Sequence, residues 1–312
     1  MSATGQATEA PSDAARDLVR GAFDLHVHIS PDVVERRIDD IGLARRFAGL
    51  GLAGFVLKSH YNSTAERAAV VREAVPGVQV LGAIVLNRAV GGVNPVAVEI
   101  AAREGARKVW LPTVDSENER AHLAAAGPET KLPVWSKLEF ELREKGIGAE
   151  PVAVVDAEGE LLPETRDVIA LAAEHGMVLS TGHISAADAL TVVDAALEAG
   201  VQHVVVTHPD YPGQAISIND QVELARKGAV VERCFTTPYT GKCSWEQWIE
   251  GTRAVGPERT VLSSDLGQVK NPPVEDGLPL MAEKLLEAGF TDDEVRTMAV
   301  DNTRLLAGVE AK

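Results

Sequence analysis

In the segment DLHVHISPD, Asp24, His26 and His28 alternate, so on an extended strand all three side chains project to one side, here toward the interior of whatever the strand helps enclose. Two imidazoles placed in this way can chelate one cation. Three further potential ligands each follow a short apolar, β-branched run: His183 in VLSTGH, His208 in VVVTH and Asp265 in VLSSD. Imidazole and carboxylate donors arriving from separate strand ends are what a first-row divalent ion such as zinc requires, with one position left for water. Taken singly, each has a plain structural reading: His183 and Asp265 as helix caps, His208 as a turn residue before Pro209. The recurrence at strand ends carries the metal reading.

Other chemistry-bearing residues lie near the same places. Lys58 and His60 share a face in VLKSHYN, and Glu232 and Arg233 end a later strand, where alternation lets only one of the two face inward. If Arg233 is the inward one, it joins Lys58, or Arg36 and Arg37, in selecting a substrate that carries a carboxylate. If it faces outward, it pairs with a buried acid. Tyr61, Trp110, Tyr239 and Trp245 lie near strand ends and are candidates for substrate-binding walls, as is His60; core packing is the alternative for Trp110.

The elements that must position these residues follow an alternating pattern. Short β-branched runs near Ala22 to His28, Gly54 to Ser59, Gln79 to Leu86, Lys108 to Pro112, Met177 to Thr181, His203 to Thr207, Ala229 to Arg233 and Thr260 to Ser264 read as strands. Between them, stretches of helical period run over Ile41 to Gly49, Thr64 to Ala74, Pro95 to Glu104, Glu164 to Glu174, Ser185 to Ala199 and Ile218 to Lys227. Glycines stop several of these helices (AEHG, EAG, RKG), while Ser185 and the capping box at Thr291 mark starts. Eight βα units predict an α/β fold, a (β/α)8 TIM barrel, and 312 residues suit one such barrel of about 250 residues plus an insertion. The catalytic face is then the C-terminal end of the strands, where all the candidate ligands fall.

The insertion follows strand four. Residues 114–163 separate strands four and five, far more than an ordinary βα loop, and are read as a helix near Ser136 to Lys145 followed by a small hairpin around Glu158 and Gly159. This segment is the candidate lid. Residues 1–16, small and polar, are read as a flexible lead-in, and 17–312 as a single barrel domain.

Composition narrows the partners. A formal net charge of −16 disfavours nucleic acid and anionic membranes, and no run approaches the roughly 18 apolar residues of a membrane span. Cys234 and Cys243 are too few for a disulfide framework, and no signal peptide precedes the first strand, so a cytoplasmic location is expected. The expected partner is a small-molecule substrate, and pairing of barrels into a homo-oligomer is compatible with the sequence.

The order HxH on strand one, His on strand five, His on strand six and Asp on strand eight resembles the metal-dependent amidohydrolase superfamily, as does the closing segment DNTRLLAG. The resemblance spans nearly the whole chain. It implies that His26, His28, His183 and Asp265 hold a divalent metal, Zn2+ foremost with Mn2+ or Fe2+ as alternatives. His208 then serves a second ion, or polarises the substrate or its water. Binuclear members place a bridging carboxylated lysine or glutamate at the end of strand four; here that strand runs KVWLPTVDS, its nearest acid is Asp115, and one ion is favoured, with a second left open. The implied activity is hydrolysis of an amide, imide, lactam, lactone or related ester by metal-activated water, with Asp265 as base and with His208 and Lys58 stabilising developing charge. A nonoxidative decarboxylase of the same superfamily and a noncatalytic metal-binding barrel are the alternatives.

Overall fold

The computed structural model describes residues 10–126, 135–147 and 150–309. Strands β1 (Phe23–Val27), β2 (Gly54–Leu57), β3 (Gln79–Val85), β4 (Ala106–Trp110), β5 (Val178–Ser180), β6 (Val204–Val206), β7 (Val230–Cys234) and β8 (Thr260–Ser263) form one parallel sheet in sequence order. Every expected strand is present. The ring closes just beyond β8, where Asp265 N donates to His26 O at 2.9 Å and His28 N donates to Leu266 O at 2.8 Å. β6 shows why such short strands hold: its three valines are stiff at χ1, suit the pleat, and are buried.

Helices α1 (Asp13–Leu18), α2 (Asp40–Leu50), α3 (Ala65–Ala74) and α4 (Pro95–Arg103) precede β4. The insertion carries α5 (Glu117–Ala125) and α6 (Ser136–Glu144), after which α7 (Pro163–Glu174), α8 (Ala186–Glu198) and α9 (Ile218–Lys227) return to the barrel rhythm. α10 (Thr236–Tyr239), α11 (Trp245–Val255), α12 (Gly277–Glu287), α13 (Asp292–Arg296) and α14 (Asn302–Ala307) complete the chain. The sequence signals at the ends act as expected: Ser185 accepts from Asp188 N, and Thr291 and Glu294 form a capping box. In the insertion, a single antiparallel bridge between Val155 and Leu161 forms the expected hairpin, turning through Gly159 at φ 84°. Among the described residues no helix is long and apolar enough to cross a membrane.

Apolar side chains fill three regions. Phe23, Leu25, Val56, Val85, Trp110, Val178, Val205 and Val261 pack together inside the barrel, and two larger clusters lie between the sheet and the helices. Register then decides which polar residues share the interior. Lys108 lies beside Ala83 and Val178, and Glu232 beside Val261, so both face inward. Their charged ends are 3.6 Å apart, and the ammonium sits 4.0 Å from the Trp110 ring centre.

Two expectations need correction. The flexible lead-in does not extend to residue 16: Asp13–Leu18 is helical, Ser12 caps it, Ala15 and Val19 are buried, and Arg16 pairs with Asp276 at 2.6 Å. The small polar composition concealed one buried anchor, Ala15, a helical turn before Val19. Strict alternation also fails in β1, where Asp24 pairs with Phe55 but Val27 with Leu57, three residues against two. This bulge lets Leu25 join the inner cluster ahead of His26, while the Asp24 carboxylate accepts from the backbone of Ser264 at 3.0 Å and His26 at 3.2 Å. Asp24 therefore braces the junction of β1 and β8. Burial pushes its pKa up to about 7.

Candidate metal centre

At the C-terminal mouth of the barrel, Asp265 Oδ1 lies 3.3 Å from His26 Nε2 and 3.2 Å from His28 Nε2. The three ligand atoms are all within 4.8 Å of one another. His208 stacks toward His26 with ring centres 5.8 Å apart, and His183 meets His208 edge-on at 5.0 Å. Residues from strands one, five, six and eight thus converge, as their spacing predicts.

His26 and His208 are oriented through Nδ1, and a carboxylate oxygen lies close to Nδ1 of His183. His26 Nδ1 faces Glu232 Oε2 at 3.3 Å, His208 Nδ1 faces Gln214 Oε1 at 3.1 Å, and His183 Nδ1 lies 3.2 Å from Glu119 Oε2. An imidazole held by an oxygen at Nδ1 presents Nε2, the arrangement that orients and strengthens a metal ligand. The backbone contributes as well. His208 and Asp265 take positive φ, 21° and 53°, a conformation that non-glycine residues adopt at some energetic cost and that concentrates at functional sites. Thr236 Oγ1 donates to Asp265 Oδ2 at 2.7 Å, fixing that oxygen and turning Oδ1 toward the imidazoles.

The electrostatics suit a cation. Burial lowers the pKa of His26, His28 and His183, and takes His208 down to about 3, so neutral nitrogen lone pairs are available. Burial works against ionisation of Asp265, but the surrounding imidazoles more than offset it and hold the carboxyl well below its usual range. Both ring nitrogens of His183 and Nδ1 of His28 are buried without a hydrogen-bond partner among the described residues. Buried donors or acceptors left unmatched call for an explanation, and neutral imidazoles beside an ionised carboxylate fit a divalent ion.

Lys58 enters the same cluster. Its Nζ is 2.8 Å from His26 Nε2 and 5.1 Å from the Trp110 ring centre, and burial lowers its pKa to about 8. His60 stacks on His28 at 4.8 Å and its Nδ1 meets Thr113 Oγ1 at 2.9 Å. Tyr61 borders His60 at 6.1 Å, and burial raises the pKa of its hydroxyl. Trp110 faces inward from the end of β4, its ring 5.4 Å from that of His26, and floors the site. Asp115 does not reach the centre: it accepts from Arg88 N at 2.9 Å and pairs with Arg120.

Several proposed pocket residues lie elsewhere, among them Trp245, which packs against Phe235 and Trp248. Arg233 pairs in register with Leu262, a member of a helix-facing cluster, and so points away from the barrel interior that Glu232 occupies. Its guanidinium binds Asp210 and, at 2.7 Å, Gln221 Oε1, beneath Gly251, where an added Cβ would come within 2.6 Å of Nη2. Tyr239 stacks on Phe235 at 5.0 Å in the cluster that holds Trp248, because its short helix turns toward the core rather than the mouth. Arg36 pairs with Asp32 at 2.7 Å, and Arg37 donates to the carbonyls of Val269 and Asn271.

Sequence reasoning missed Glu119, Tyr211 and Trp135. Tyr211 stacks on His183 at 5.9 Å, and its position three residues past His208 was the available signal. Trp135 lies 6.5 Å from His60. Glu119 comes from the insertion and carried no local signal.

The fold is shared with amidohydrolase-type barrels. The probable dipeptidase PvdM from Pseudomonas aeruginosa is similar over 95% of this chain and 97% of its own, at 11% identity and a TM-score of 0.62. An amidohydrolase from the same organism matches over 96% and 98%, at 13% identity and a TM-score of 0.58. An amidohydrolase from Burkholderia multivorans with bound zinc matches over 93% and 99%, at 13% identity and a TM-score of 0.57. The chain itself belongs to a family of unknown function, DUF6282, whose model matches residues 21–232. That span includes the four histidines of the centre and Glu119; Asp265 lies beyond it. No curated protein matches.

Proposed function

We propose that this protein is a metal-dependent hydrolase that cleaves an amide, imide, lactam, lactone or ester bond of a small anionic substrate. The observation that carries this reading is the approach of His26 Nε2 and His28 Nε2 to a single oxygen of Asp265. His26, His28, His183 and Asp265 would hold the ion, with His208 beside it. Their nitrogen and oxygen donors suit Zn2+ first, then Mn2+ or Fe2+. A single ion is favoured because the inward end of β4 is Trp110 rather than a bridging acid.

Bound there, a divalent ion supplies Lewis acidity, polarising a carbonyl and acidifying water. The chain's own residues supply the rest. Asp265, its Oδ2 steadied by Thr236, is the group that takes a proton and later returns it to the leaving group. Lys58 stabilises negative charge developing on the substrate oxygen, in a site whose burial strengthens the interaction, while His208, neutral and with Nδ1 turned to Gln214, offers the Nε2 lone pair beside the ion. Lys58 also favours an anionic substrate, since Glu119 and Glu232 both face imidazoles. Cys234 and Cys243 are free, which suits a reducing compartment such as the cytoplasm.

A nonoxidative decarboxylase is the second reading. Lys58 beside Trp110, with Tyr61 and Tyr211 around the histidines, would also receive an aromatic acid. The test combines metal analysis with a panel of lactones, cyclic imides, N-acyl amino acids and aromatic acids, with and without chelator. We expect about one ion per chain, at least tenfold less in His26→Ala, and chelator-sensitive hydrolysis. Release of carbon dioxide without hydrolysis decides for the decarboxylase, and a metal-replete sample that retains no ion refutes both.

A further inference from the structure

We propose that Glu119 is a positioning residue for His183, and that the first helix of the insertion is therefore a fixed part of the metal centre rather than a lid. This inference rests on the metal reading above.

Glu119 is fully buried, and neither carboxylate oxygen has a hydrogen-bond partner among the described residues. Oε2 nevertheless lies 3.2 Å from His183 Nδ1, an ion-pair distance with misaligned geometry, and both ring nitrogens of His183 are also unmatched. Two adjacent, unsatisfied buried groups are unfavourable as they stand. A small ring rotation satisfies both at once: Nδ1–H donates to Glu119, and Nε2 turns its lone pair toward the ion. Catalytic hydrogen bonds are often poorly aligned until the site is filled.

The surroundings are built for this contact. Ser116 Oγ caps α5 by accepting from Glu119 N at 3.0 Å and donates to His183 O at 2.9 Å. Asn118 Nδ2 donates to His183 O at 3.1 Å and to Gly213 O at 2.6 Å. The first turn of α5 is thus tied to the loops after both β5 and β6. Gly213 is the residue that leaves room, since a Cβ there would lie 2.6 Å from Glu119 Oε2. A helix anchored in this way on two ligand-bearing loops has no freedom to open as a flap.

A purely structural glutamate and a positioning one give opposite signatures. In metal-free protein, Glu119→Gln replaces a buried carboxyl that has no hydrogen-bond partner among the described residues, so its melting temperature should equal or exceed that of the parent. In the same variant the affinity for Zn2+, measured by competition with a chromophoric chelator, should fall about 10- to 100-fold, the range typical of outer-shell partners. Glu119→Asp should recover part of the loss. Affinity within twofold of the parent overturns the proposal, as does a metal-free Glu119→Gln that melts well below the parent. Should that variant fail to fold, Gly213→Ala displaces the carboxylate sterically; it should weaken Zn2+ binding similarly, and unchanged affinity overturns the proposal. If the parent itself binds no Zn2+, it is the metal reading that fails.

Discussion

Replacing Arg233 with Met separates a structural from a substrate-binding arginine. The Arg233 and Asp210 side chains are 0% and 3% exposed, and the guanidinium also binds Gln221. Removing it strands the Asp210 carboxylate in the interior, where among the described residues Gln221 Nε2 at 3.2 Å is its remaining side-chain partner. Breaking one side of such a pair costs about 3–5 kcal/mol. With an unfolding entropy of about 2.1 cal/mol/K per residue, a chain of 312 residues should lose roughly 5–8 °C of melting temperature. Thermal and urea unfolding followed by circular dichroism would measure this, and the double variant Arg233→Met/Asp210→Asn should recover at least about 1 kcal/mol, because the stranded charge is gone. A loss under about 1 kcal/mol, or an increase in KM with unchanged stability, would refute the reasoning and return Arg233 to the substrate.

The remaining expectations concern the site and the insertion. Asp265→Asn should lower turnover by more than about 100-fold, the scale of a lost general base, with the fold intact by circular dichroism; residual activity above a few percent contradicts its role. Lys58→Met should raise KM or lower kcat while metal content stays at the parental value, whereas loss of the ion would make Lys58 part of its coordination. Burial, and Asp115 nearby, push the Glu139 carboxyl up to about 7. The native state then keeps a proton that the unfolded chain has already released, so this group makes stability fall as pH rises from about 4.5 to about 7. Glu139→Gln should flatten that slope in urea titrations across the window, and an unchanged slope would assign it to other groups.

Where sequence reading succeeded, the signal was local. All eight strands lay in short segments the sequence pattern marked, β-branched most clearly in β6, with glycine or capping residues marking many of the intervening helices, and the histidines stood at the strand ends because ligands on a parallel barrel must stand there. The failures share a different origin. Whether Glu232 or Arg233 faces inward depends on how β7 meets β8, which no residue within the strand determines. Glu119 became visible only when Asn118 bridged two loops, one of them carrying Gly213, almost a hundred residues away. Asp24 was assigned to the wrong side because a register slip between β1 and β2 leaves no mark in the residue pattern.

That slip bears on anyone transplanting this centre. In a regular strand that kept Leu25 inside, both imidazoles of HVH would swing toward the helical shell, and the donor set would fall apart. Copying DLHVH onto an idealised scaffold would reproduce the letters and lose the chelate. The single extra residue in β1 is the phase shift that lets an apolar plug and a pair of nitrogen donors occupy consecutive storeys of one wall.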